Sequence, residues 1–167
     1  MNGKEPGRVL VAGIGNVFFG DDGFGPAVVG QVRSAGLPES VDVADFGIRG
    51  VHLAYELLDA RYATVVLVDA LPMSEPPGTL AVLHVEHPGQ LGGQVDAHSM
   101  SPAAVLAALS ALGATMPRVL VIGCQPEVVE PGMTLSEPVA ASVAEAVELV
   151  REVARGEVTN LTRLNWE

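Results

Sequence analysis

The apolar residues of this chain fall into short continuous runs that alternate with stretches where they recur every three or four positions, and glycine, proline and charge separate one from the next. Val9-Leu10-Val11-Ala12 predicts a buried strand. The stretch from about Gly23 to Ser34, with Phe24, Val28 and Val32 on one face and Gly36 as a stop, predicts a helix. Val41 to Phe46 alternates as a second strand does, and Val51 to Leu58 reads as a short helix. Thr64 to Ala70 is the strongest strand signal, a β-branched run of the kind buried on both faces of a parallel sheet.

The connection Leu71 to Gly78 to the next strand, Thr79 to Val85, is rich in proline and cannot be helical. A parallel crossover needs roughly a dozen residues or more, usually including a helix. This strand is therefore expected to run antiparallel to its predecessor, at an edge of the sheet. Ser101 and Pro102 are a good cap and first position for a helix to Leu112, which leads to the strand Arg118 to Ile122. For that strand to be parallel, the long loop from Glu86 to Met100 must carry the chain back across the sheet, and it then brings His98 to the rim where the parallel strands end. A final helix from Ser136 lines up Val139, Val143, Val147 and Val150 and stops at Gly156. The pattern predicts a three-layer α/β fold with about five strands, mostly parallel, one antiparallel at an edge, and helices on both faces.

Composition narrows the partners. With 167 residues, 49% hydrophobic and 17% charged, the chain has the size and apolar content of a single domain, with an ordered core over about residues 8–156. A balance of 9 Lys+Arg against 20 Asp+Glu, with no basic patch, argues against nucleic acid and anionic membranes as partners. The single cysteine, Cys124, excludes an internal disulfide and a cysteine-cluster metal site. The apolar runs are too short to span a bilayer and Met1 to Pro6 lacks the apolar core of a signal peptide, so a cytoplasmic location is expected.

The chemistry gathers at the loop that follows the first strand. Gly13, Gly15, Gly20, Gly23 and Gly25 let the backbone turn tightly around Asp21 and Asp22, and capping the following helix needs only one of these carboxylates. Asp69 ends the strongest strand at the same rim, and His98 is delivered there by the long loop. Asp22, Asp69 and His98 together make an O,O,N set suited to a divalent first-row metal, the imidazole favouring nickel or zinc. Taken singly, Asp69 reads equally well as an acceptor for loop amides, and His98 as a loop hydrogen-bonder. His52 and His84 read as ordinary surface or core residues, His87 as a weaker second candidate, and Cys124 as a small core residue. A dinucleotide site is the competing class, with Gly13-Ile14-Gly15 after a strand and Asp45 where a ribose-binding acid would lie. That pattern breaks at Phe18, where its third glycine belongs, and Asp21-Asp22 would repel a pyrophosphate.

Several segments, in this order and spacing, resemble the maturation endopeptidases of nickel–iron hydrogenases: Gly13-Ile14-Gly15-Asn16, Asp21-Asp22-Gly23-Phe24-Gly25, Asp45 to Gly50, Val68-Asp69-Ala70, His98 to Pro102 and Gly123 to Glu127. The resemblance implies a twisted, mostly parallel sheet flanked by helices, of phosphorylase/hydrolase-like type. It implies an endopeptidase that removes a C-terminal extension from the hydrogenase large-subunit precursor once nickel is in place. The family's acid in the first loop falls on Asp22, its strand-end aspartate on Asp69 and its histidine on His98, as catalytic and metal-binding residues completing the coordination of nickel held mainly by the substrate. Where some members have glutamate, Asp22 is one methylene shorter. The segment carrying Asp45, Gly47, Arg49 and Gly50 resembles the family's substrate-recognition loop, although Arg49 alone also suits a surface ion pair. The alternative is a nickel-dependent docking or chaperone protein without hydrolytic activity.

Overall fold

The computed structural model describes residues 7–32, 36–58, 62–85, 102–113 and 116–156. In chain order the elements are β1 (Arg8–Ile14), a 3₁₀ turn (Gly20–Gly23), α1 (Phe24–Val32), β2 (Val41–Gly47), α2 (Gly50–Leu58), β3 (Tyr62–Ala70), β4 (Leu80–Val85), α3 (Pro102–Ala111), β5 (Arg118–Cys124) and α4 (Glu137–Ala154). They form a five-stranded sheet in the order β2-β1-β3-β5-β4. All neighbours are parallel except β4, which pairs antiparallel with β5 from Leu80 opposite Cys124 to Val85 opposite Val119. The expected edge position and direction of this strand are observed. Its hydrogen-bonded neighbour is β5 rather than β3, because β5 inserts between the two.

The apolar runs of β1 and β3 feed both faces of the sheet, as successive side chains of a strand must. Val11, Val66 and Val68 pack with Phe24, Val28 and Val32 of α1 and with Val139, Val143, Val147 and Val150 of α4. Leu10, Val65 and Leu67 face the other way, toward Leu53 and Leu57 of α2 and Val105, Leu106 and Leu109 of α3. Full burial of each such side chain contributes about 1.5–3 kcal/mol, so the two cores hold the helices on opposite faces. No helix among the described residues is long and apolar enough to cross a membrane.

The strand order locates the crevice. From β1 the chain steps to β2 on one side and then crosses back to β3 on the other, with α1 and α2 on opposite faces. The carboxyl ends of β1 and β3 are therefore a topological switch point, where the two following loops part and leave room for a ligand. Gly25 makes the approach close, since a Cβ there would collide with the carbonyl oxygens of Ile14 and Val68. The start of α1 is thereby seated on the ends of both strands.

Candidate active site

Asp22 reaches the switch point from the β1 side. The chain leaves β1 through Gly15, whose φ of +137° is one that side chains rarely adopt, and a Cβ there would collide with the Asp22 carbonyl and lie 3.5 Å from Asp69 Oδ1. Glycine at this position thus lets the first loop close over the end of β3. The Asp22 carboxylate is partly exposed, and its Oδ2 accepts the Asn16 N–H at 2.8 Å. Asn16 fixes the turn in its own right, its side-chain oxygen accepting from the Phe18 N–H at 2.9 Å.

Asp69 arrives from the β3 side and is buried at 5% exposure. Parallel pairing holds its backbone opposite Gly123 of β5. Its Oδ1 is fully buried and has no hydrogen-bond partner among the described residues. Burial pushes the Asp69 carboxyl well above the ordinary carboxylate range, and the negative charge of Asp22 pushes it further; the Ala70 N–H opposes both only in part. A buried carboxyl oxygen without a donor is costly to maintain unless a proton, a cation or a substrate group completes it.

Asp21, next in sequence to Asp22, is buried as Asp69 is and surrounded differently. Its carboxylate accepts from the N–H groups of Glu127, Val128 and Ser136 and from the Ser136 hydroxyl, all at 2.7–2.8 Å. Burial opposes its ionisation, yet these four donors outweigh burial and hold the carboxyl below its ordinary value. Ser136, expected at the start of the last helix, does occupy the N-cap of α4, but its hydroxyl serves Asp21 instead of the helix. Of the paired aspartates, then, one pins the first loop to the β5–α4 loop and the other is turned to the crevice. The sequence carried no local sign of this pinning, because the partners lie more than 100 positions away.

The remaining candidates divide. Asp45 Oδ1 accepts the Gly47 N–H at 2.8 Å, closing a turn in which Gly47 has φ +50°. The Gly15 N–H donates to the Gly47 carbonyl at 3.0 Å, which sets the segment through Gly50 beside the first loop. Arg49 is exposed and donates to the Asp45 carbonyl at 3.2 Å rather than to a carboxylate. Cys124 is buried against the Ser142 hydroxyl at 3.4 Å, and burial raises its thiol, consistent with a core residue. His52 and His84 are exposed. His98 and His87 lie outside the described residues, and among the described residues the site comprises the two carboxyls, Asp22 and Asp69. The sequence reading did not single out Gln125, whose side-chain oxygen accepts from the Met73 N–H and steadies the loop after β3.

Residues 27–153 match the family model of hydrogenase maturation proteases. The chain belongs to the hydrogenase maturation protease family. It is 36% identical over 149 residues to a provisionally named hydrogenase maturation protease of Methanocaldococcus jannaschii, covering 85% of this chain and 93% of that one. Among solved structures, the hydrogenase maturating endopeptidase HybD of Escherichia coli superimposes with a TM-score of 0.77 at 28% identity, over 89% of this chain and 93% of that one. A hydrogenase 2 maturation peptidase from a Thaumarchaeota archaeon does so with a TM-score of 0.68 at 37% identity, over 90% and 99%. This hydrogenase maturation protease is accordingly an enzyme that cleaves peptide bonds, and the dinucleotide reading falls away. The family match begins after the first loop, so the geometry around Gly15, rather than that match, supports pairing Asp22 with Asp69.

Proposed function

We propose that this hydrogenase maturation protease removes a C-terminal extension from the large-subunit precursor of a nickel–iron hydrogenase, and that it recognises the nickel already bound by that precursor through Asp22, Asp69 and His98. The observation that carries the reading is the buried Oδ1 of Asp69, without a hydrogen-bond partner among the described residues, beside the charge of Asp22. Two oxygen donors at a switch-point crevice, incomplete on their own, fit a divalent ion that arrives with its other ligands.

Nickel held by the substrate supplies a Lewis acid beside the scissile peptide. The protein's own residues do the rest. Asp69 is held rigid by strand pairing and presents a carboxyl whose ionisation costs least when a cation is near. Asp22, oriented by the Asn16 N–H, serves in this reading as the base that takes a proton from the attacking water, which adds to the carbonyl carbon before the C–N bond breaks and the leaving amine receives that proton. The turn carrying Asp45, Gly47, Arg49 and Gly50 borders the crevice and contacts the chain on one side of the cut. The buried free thiol of Cys124 fits a cytoplasmic setting.

Incubation with nickel-loaded and nickel-free precursor, followed by intact-mass measurement, tests the reading. A shortened product from the loaded form alone is expected. Cleavage of both forms overturns nickel recognition, and binding without cleavage of either leaves a docking protein.

A further inference from the structure

All but two of the exposed large hydrophobic side chains among the described residues, Tyr55 and Leu112, lie in the loops at the carboxyl rim. Val17, Phe18 and Phe19 come from the β1–α1 loop, and Val128, Val129 and Met133 from the β5–α4 loop. Phe18 is 59% exposed and Met133 73%, values that water disfavours for side chains so large when they are clustered. Ile48, at 58%, adds a third loop to the set.

The two main loops are joined by their backbones. Phe19 and Gly132 form a β-bridge, the Gly20 N–H donates to the Gly132 carbonyl at 2.8 Å, and the Gly132 N–H donates to the Phe18 carbonyl at 2.9 Å. The Asp21 N–H donates to the Val128 carbonyl at 2.8 Å, and the Asp21 carboxylate locks the junction from beneath. The apolar side chains therefore stand on a surface formed in advance, which lowers the ordering cost of binding.

Charge identifies the occupant. Glu127 and Glu130 bracket Val128-Val129, and Asp22 lies at the inner end of the first loop. Arg8 and Arg118 begin β1 and β5, and Arg151 and Arg155 end α4, which places all four at the opposite rim. Only Arg49 brings positive charge to the carboxyl rim among the described residues. A second copy seated on this surface would cover Asp22 and block its site.

We propose that the Phe18–Val129–Met133 surface docks an apolar, positively charged face of the precursor protein next to the scissile segment. The assignment rests on the proposed function, since the precursor is the occupant named there. It adds a specificity surface outside the three catalytic candidates.

The test measures binding of the nickel-loaded large-subunit precursor encoded in the same genome, by calorimetry, in an Asp69→Asn background. Phe18→Ser, Val129→Ser and Met133→Ser should each weaken binding about tenfold or more, with unchanged unfolding midpoints, and added salt should weaken binding further. Tyr55→Ser should bind as the parent does. Parent-like affinity in all three rim variants overturns the surface, whether or not the wild type cleaves. Concentration-dependent self-association that the rim variants abolish also overturns it, in favour of a second copy. If the precursor binds through the rim and wild type yields no shortened product, the docking surface stands and the endopeptidase reading fails.

Discussion

Asp21 and Asp69 are both buried carboxyls at one rim of the sheet, and their surroundings are opposites. Asp21 has four donors aimed at it and is driven toward the charged form, whereas Asp69 has an oxygen with no donor among the described residues and is driven toward the protonated form. A carboxylate saturated by the protein's own N–H groups is spent on architecture. One left incomplete in a crevice keeps its bonding capacity for something that arrives from outside.

The comparison breaks most sharply at Asp69. Asp69→Asn should reduce precursor processing by about 10²-fold or more, since losing a metal-facing carboxyl costs no less than losing a group that orients one, while the unfolding midpoint at neutral pH holds or rises, because no donor among the described residues is lost from Oδ1. Normal cleavage by this variant refutes the assignment, whatever its melting temperature. Asp21→Ala should do the reverse in kind, costing roughly 3 kcal/mol in urea denaturation, since it strands three backbone N–H groups and a hydroxyl. A loss within experimental error would show that the pinning contributes nothing.

Acid sharpens the contrast. Because the folded-state pKa of Asp21 lies below its unfolded value, its contribution is fully present above the ordinary carboxylate value and is lost as pH falls through the folded-state pKa. Midpoints of wild type and Asp21→Asn measured down that acid limb should converge, and parallel curves would contradict it. A smaller effect is expected for metal alone. The isolated protein should bind nickel weakly by calorimetry, and Asp22→Ala with His98→Ala should weaken it at least about tenfold further. Undiminished binding removes those residues from the site. Arg49→Ala should change stability by less than about 0.5 kcal/mol, its bond being an exposed one to a carbonyl.

What the sequence disclosed follows from the range of the forces involved. The β-branched run ending at Asp69 and the valine stripe of α4 were legible because burial imposes a local period, and both are buried where expected. The direction of β4 was legible from the shortness and proline content of its connection. That β5 would separate it from β3 was not, since strand order is decided by pairing between distant segments. Asp22 and Asp69 were legible as rim residues from their positions at strand ends. Their unequal companion was not, because the donors of Asp21 lie 106 to 115 positions further along the chain.

The place of β5 also bears on the order of assembly. Strands β3 and β4 emerge one after the other during synthesis, yet they flank a gap that only residues 118–124 fill. Until those residues leave the ribosome, the valine-rich flank of β3 has no neighbour on that side, and an unpaired apolar strand invites association with other chains. A released fragment that ends before Arg118 should therefore hold the first three strands and still aggregate, whereas one extended through Cys124 should close the sheet.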